Sequence, residues 1–322
     1  MQRIIIAIIA IFVSSVSADA QQRFRRTAFP INSFVVNPAV AGTEAYTVFG
    51  TSYRNQWAGF EGSPKTMLLS GHTTVYESFG AGILLYRDDM GGAVSQTGFE
   101  LTGSYQLKLP NTDNFSFGLS LQGNQFGLDS RDFNVIHDDD PALSGVLETT
   151  FGVDAAVGFL VYGDNYSGGL SVFNLFQNEL ILQSKDTADN KSVRNYRISG
   201  SYIYEIDRQI AIQGSGMLKL TELGLDFESL MPQIDLYARG IYTHRRSGSQ
   251  YWGGVGYRMQ DAVNISLGMI YQGVGFGYSY DFTTSGNLLG RHSHELNLTY
   301  YLPNRKYGKG YKKVLDRGRL VK

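Results

Sequence analysis

Hydrophobic and polar residues alternate with a period of two along nearly the whole chain beyond residue 45. Phe99, Leu101, Tyr105, Leu107 and Leu109 alternate with Glu100, Thr102, Ser104, Gln106 and Lys108, and Phe115, Phe117, Leu119 and Leu121 with Ser116, Gly118, Ser120 and Gln122. Ile210, Ile212, Leu218 and Leu220 likewise oppose Gln213, Ser215 and Lys219, while Leu296, Leu298, Tyr300 and Leu302 oppose Glu295, Asn297, Thr299 and Tyr301. Successive side chains of a strand point to opposite faces, so each run predicts a strand with one apolar face. Such runs fall near 45–54, 65–75, 78–87, 92–109, 113–125, 150–162, 166–176, 194–206, 208–220, 232–245, 250–259, 262–271, 273–282 and 292–302. About fourteen strands, most long enough to cross an outer membrane when tilted, predict an all-β, antiparallel, up-and-down transmembrane barrel over 45–302.

The connections alternate in length. With the first strand starting in the periplasm, the outward links include 55–64, 126–149, 177–193, 221–231 and 283–291, whereas the inward ones, such as 76–77, 163–165 and 247–249, are short. Long outside and short inside is the outer-membrane pattern; links 88–91 and 260–261 depart from it. Tyr105, Tyr162, Tyr202, Tyr204, Tyr242, Tyr251, Trp252, Tyr271, Tyr278, Tyr280, Tyr300 and Tyr301 gather toward strand ends, where interfacial girdles sit. A secreted β-sandwich shares the alternation, but about 280 residues of uniformly long strands without a disulfide is unusual for one.

The first twenty residues differ in kind. Arg3 precedes an apolar run from Ile4 to Val13, and Ser17-Ala18-Asp19-Ala20 ends in small residues before Gln21, which predicts a cleavable Sec signal peptide cut between Ala20 and Gln21. Retention as a membrane anchor is the other reading, although the run is shorter than the ~20 residues of a spanning helix. From Gln21 to Glu44 no period is sustained, and this stretch is expected to be a periplasmic arm or a lumen plug.

Composition adds little but excludes much. The 322 residues include 38 glycines, 21 tyrosines, 19 phenylalanines and no cysteine, so disulfides, thiolate catalysis and cysteine-type zinc sites are ruled out. A net charge of −1 gives no reason to expect nucleic acid.

The stretch Asn37 to Pro64 is distinctive: an Asn-Pro turn, a first strand on which Tyr46, Val48, Gly50, Ser52 and Arg54 alternate with Thr47, Phe49, Thr51 and Tyr53, and a loop holding Trp57. Its Asn37-Pro38-Ala39, Gly42 and Tyr53-Arg54-Asn55-Gln56-Trp57, together with Ser293-His294-Glu295 at the last strand, resemble the PorP/SprF family of type IX secretion system membrane proteins. The resemblance implies a non-enzymatic outer-membrane barrel without cofactors that works with trans-envelope secretion or gliding components. It also implies that specific cargo proteins are helped to the cell surface. The basic tail over 303–322 departs from barrels that end on a strand-closing aromatic, and reads either as a solvated periplasmic tail or as a docking arm for an acidic partner.

Other chemistry is thin. His292 and His294 share a strand face and offer two metal ligands, but a polar strand end is the plainer reading. Asp129, Asp132 and Asp138-Asp139-Asp140 lack the spaced pattern of a calcium loop, and Gly273 to Gly277 is followed by no helix that would make it a phosphate loop. Ser293 faces away from both histidines, which argues against a hydrolase. Glu100, Lys108, Arg197, Glu205, Asp235, Arg239 and Glu295 are expected inside, a mixture of signs that fits a cross-braced or filled lumen better than a selective pore. Two readings stand for Arg54 to Trp57: Arg54 pairs with an inward carboxylate and Trp57 sits in the interfacial girdle, or Asn55 to Trp57 form part of an outward partner surface. A passive porin or small-solute transporter is the alternative function on the same scaffold.

Overall fold

A computed structural model of the chain describes residues 29–109, 113–129, 147–178, 192–221, 231–284 and 290–304. The predicted leader with Ala20 and Gln21, Asp132 and Asp138 to Asp140, and the tail beyond 304 lie outside them.

Fourteen strands form one closed antiparallel barrel: β1 (Tyr46–Ala58), β2 (Lys65–Tyr76), β3 (Phe79–Asp89), β4 (Val94–Lys108), β5 (Asn114–Asp129), β6 (Leu147–Tyr162), β7 (Tyr166–Phe173), β8 (Asn195–Glu205), β9 (Ile210–Thr221), β10 (Met231–Thr243), β11 (Gln250–Arg258), β12 (Ala262–Tyr271), β13 (Val274–Thr283) and β14 (His292–Pro303). Each strand pairs with its sequence neighbours, and β1 closes on β14 with Tyr46 opposite Pro303 and Asn55 opposite His294. Closure leaves no unpaired edge, the condition for strands to survive in lipid. No helix among the described residues is long and apolar enough to cross a membrane.

The two faces are inverted relative to a soluble protein. Leu69, Ile83, Leu101, Leu119, Ile212, Leu267 and Leu298 point outward and are exposed, while Ser52, Ser70, Thr102, Ser120, Gln122, Asn264 and Asn297 point inward and are buried. An apolar band this continuous has only lipid as its proper solvent. Tyr105, Tyr202, Tyr204, Tyr242, Tyr251, Tyr271 and Tyr300 ring the end carrying the short turns. Tyr162, Trp252 and Tyr301 were expected in that girdle but point into the lumen and are buried, because their positions fall on the inward parity of β6, β11 and β14. The inward glycines Gly275 and Gly277 make the room: the nearest atoms to the place of a Cβ there include the Tyr301 and Trp252 rings.

Four boundaries differ from expectation by three residues or more. β1 continues through the expected loop to Ala58, since the Gln56 amide donates to the Pro64 carbonyl (2.9 Å) across a bulge at Trp57, whose φ is 53°. β5 and β6 extend into the expected 126–149 loop, still paired at Asp129 and Leu147. β7 stops at Phe173 because Asn174 turns to a φ of 57° and its side chain donates to the Val193 carbonyl (2.9 Å). Of the inward charges, Lys108 is exposed at the end of β4 rather than inside.

Candidate functional site in the barrel lumen

Residues 29–43 precede β1 and lie inside the barrel as three single-turn 3-10 helices, Phe29–Ile31, Ser33–Val35 and Pro38–Val40. The Asn37-Pro38-Ala39 turn is built locally. Asn37 is extended, as a residue before proline prefers, and its Oδ1 accepts the Ala39 amide (2.9 Å). Its Nδ2 reaches across to donate to the Phe159 carbonyl of β6 (3.0 Å). The turn sits against three inward glycines, Gly118, Gly158 and Gly169, where a Cβ would come within 3.0 Å of Pro38, Asn37 or Ala39 atoms. Gly42 adopts a φ of 68° and lies so close to Gly80 that a Cβ would stand 2.6 Å from the Gly80 Cα.

An irregular segment in a lumen must find partners for its backbone. The inward polar stubs of the wall supply them. Ser104 Oγ donates to the Ala41 carbonyl (2.6 Å), Gln106 Nε2 and Thr74 Oγ1 to the Gly42 carbonyl (2.6 and 2.7 Å), and Ser171 Oγ to the Val36 carbonyl (2.7 Å). The Gly42 amide donates to His72 Nδ1 (3.4 Å), and Asn32 Nδ2 to Ser70 Oγ (2.8 Å). Where the wall turns apolar, the segment follows: Phe34, Val35, Ala39, Val40 and Ala41 form one buried cluster with Leu68, Leu84, Tyr86, Leu160 and Tyr162.

Toward the long-loop end the lumen is crossed by ion pairs. Arg54 pairs with Asp281 (2.8 Å) and Glu295 (3.5 Å), and Arg258 with Asp261 (2.7 Å), Asp281 (3.5 Å) and Asp235 (3.8 Å). Lys219 pairs with Asp235 (2.7 Å). Sharing Asp281 and Asp235 between cations joins β1, β9, β10, β11, β13 and β14, so a cut at one member leaves buried opposite charges with less compensation. Arg258, Asp261 and Asp281 were not among the inward charges singled out from the sequence. The alternation of β11 and β13 was the signal that could have found them.

The motif residues therefore divide among four places. Asn37, Pro38, Ala39 and Gly42 hold the segment to the wall, and Arg54 and Glu295 belong to the ion pairs. Tyr53 and His294 face outward, where His294 Nδ1 meets the Tyr278 hydroxyl (2.7 Å) and the His292 ring stacks on Tyr280 at 5.2 Å. Asn55, Gln56 and Trp57 form the rim: Asn55 Oδ1 accepts from Ser63 Oγ (3.1 Å), and the Trp57 amide donates to Ser293 Oγ (3.0 Å). Among the described residues no group of three potential ligands is placed to hold a metal ion.

The family model for type IX secretion system membrane protein PorP/SprF matches residues 18–300. The comparison with curated proteins gives no match. Among solved structures, the CymD monoaromatic hydrocarbon channel aligns at 11% identity and TM-score 0.50, over 90% of this chain and 96% of its own. The Ralstonia pickettii toluene transporter TbuX aligns at 7% identity and TM-score 0.48, over 86% and 94%. A Pseudomonas aeruginosa FadL homologue aligns at 11% identity and TM-score 0.44, over 79% and 88%. At these identities the likeness is one of fold.

Proposed function

The chain belongs to the type IX secretion system membrane protein PorP/SprF family, and from that premise we propose that it serves the secretion machinery as a closed outer-membrane scaffold. That it is a non-catalytic outer-membrane β-barrel follows from the family and the fold together. The secretion role goes further, and the observation that supports it best is the occupied lumen. A segment fixed by wall glycines and by hydrogen bonds from Thr74, Ser104, Gln106 and Ser171 suits a barrel whose task is to present surfaces rather than to pass solutes. In this reading the short-turn end faces the periplasm and the trans-envelope components, the apolar band contacts outer-membrane lipid, and the rim at Asn55 to Trp57 with its loop faces secreted cargo. The signal peptide and the basic tail take the export and periplasmic roles expected of them.

The test is co-purification of the barrel from outer membranes with identification of its companions, alongside surface attachment of secreted proteins in a Trp57→Ala strain. Recovery of type IX components, and an assembled barrel with lost cargo attachment, support the scaffold. A barrel that purifies alone and whose loss leaves every secreted protein in place refutes it.

The second reading is a passive channel for small solutes. The porin and channel architecture shared with the CymD channel favours it, though as fold alone. The two readings separate on conductance, since a channel carries a steady current and a plugged scaffold does not.

A further inference from the structure

The Pro38–Val40 turn of the N-terminal segment leans on β4, β5 and β6, and space remains on the other side of the lumen. Between the segment and the wall of β8 to β14 lies a cavity whose apolar lining includes Phe29, Ile31, Trp252, Ile270 and Tyr301. Its polar lining contains an anomaly. Arg54, Arg258 and Lys219 all pair with carboxylates, but among the described residues no carboxylate lies within ion-pair distance of Arg239. Arg239 Nε donates to Gln213 Oε1 (2.7 Å) and its guanidinium lies over the Trp252 ring at 5.5 Å, so the fork is held while its outer nitrogens remain available. Glu44 also lines the cavity but is engaged with other groups and makes no ion pair with Arg239.

A second group points to the same deficit. Ser215 lines the cavity, is more than nine-tenths buried, and its Oγ has no hydrogen-bond partner. In the β9–β10 register Arg239 stands opposite Gln213 and Tyr237 opposite Ser215, which makes Arg239 and Ser215 diagonal neighbours on one face, about 7–8 Å apart at the backbone. A half-buried guanidinium without a counterion and a buried hydroxyl without a partner are each left unsatisfied by the protein, and one bidentate acceptor relieves both.

We propose that this cavity binds a small amphipathic carboxylate. Its oxygens accept from the Arg239 fork and from Ser215, and its aromatic or short acyl body lies against Phe29, Ile31, Trp252 and Tyr301. The inference rests on the barrel geometry and does not depend on the secretion role. The experiment uses residues 21–322 folded in lipid nanodiscs, with folding verified by heat-modifiable electrophoretic mobility. Binding of 4-fluorophenylacetate is followed by 19F NMR, with 4-fluorophenylacetamide as its uncharged match. Saturable binding of the carboxylate is expected, with the amide about tenfold weaker or worse, since hydrogen bonds to a charged group carry most of the discrimination. Arg239→Gln should weaken the carboxylate by about tenfold or more, Arg239→Lys by less, and Ser215→Ala a fewfold. Absence of saturable binding to the folded barrel, equal binding of the amide, or undiminished binding to folded Arg239→Gln overturns the proposal. The comparison of acid with amide needs only the wild-type chain, so it decides the matter even if the arginine variants do not fold.

Discussion

Adding one methyl group to Gly118 should dislodge the N-terminal segment while leaving the barrel intact. A Cβ built at Gly118 stands 2.4 Å from the Ala39 amide nitrogen and from the Pro38 carbonyl carbon, where ordinary contact begins at 3.4 Å, so Asn37-Pro38-Ala39 must retreat by about 1 Å. The obstruction is backbone on both sides, so no rotamer change relieves it. Overpacking of this kind costs about 1–3 kcal/mol. The retreat also stretches the Asn37 Nδ2 to Phe159 carbonyl bond, worth about 1 kcal/mol. The segment's closed state should weaken by about 2–4 kcal/mol, because the ladder of β4, β5 and β6 does not involve the added methyl. Hydrogen exchange reads this at the amides of Val40, Ala41 and Thr43, which donate to Asn37, Pro38 and Val40 carbonyls. Their exchange should accelerate about thirtyfold or more at 2 kcal/mol, with strand amides unchanged. Gly103→Ala, where nothing lies within 4 Å, is the matched control and should leave the same amides protected. A folded Gly118→Ala barrel whose segment amides exchange as in wild type would refute the docking.

Removing Arg54 as Arg54→Met leaves Asp281 and Glu295 buried with one fewer cation, and should cost about 3–5 kcal/mol in a urea titration of the folded barrel; a loss below about 1 kcal/mol would mean the ion pairs bear little of the stability. On the outer face, Leu298→Arg at the middle of β14 should cost about 2–4 kcal/mol on folding into vesicles, whereas a neutral effect would place that face in water. Truncation after Asn304 should leave the barrel closed, since Asn304 already bonds the Ala45 carbonyl and Thr73 and β14 ends at Pro303; failure to assemble on heat-modifiable mobility would make the tail a folding element.

Much of the architecture was legible because the barrel is written locally. A period of two places each side chain on a face, and the lipid or lumen on that face then selects its chemistry. The strands with the cleanest alternation, such as β4 and β14, fell within a few residues of their expected bounds. What alternation cannot convey is how the lumen is filled. Gly118, Gly158 and Gly169 look like any glycines of a tight barrel, and only the folded register shows that they form one recess shaped for the Asn37 turn. Trp252 and Tyr301 misled for a related reason: near strand ends an aromatic suits either a lipid girdle or a lumen filler, and parity decides. The ion pairs were legible as a mixture of inward signs and as an inward carboxylate for Arg54, but not which carboxylate, because Asp281 serves cations from β1 and β11, strands distant in sequence.

The most direct test of a closed lumen is single-channel recording in planar bilayers from residues 21–322 and from the same chain without residues 29–43, both verified as folded. The intact barrel should carry no steady current, with openings appearing or increasing when the segment is removed. A stable ohmic conductance from the intact barrel, unaltered by that deletion, would contradict a lumen sealed by its own N-terminal segment.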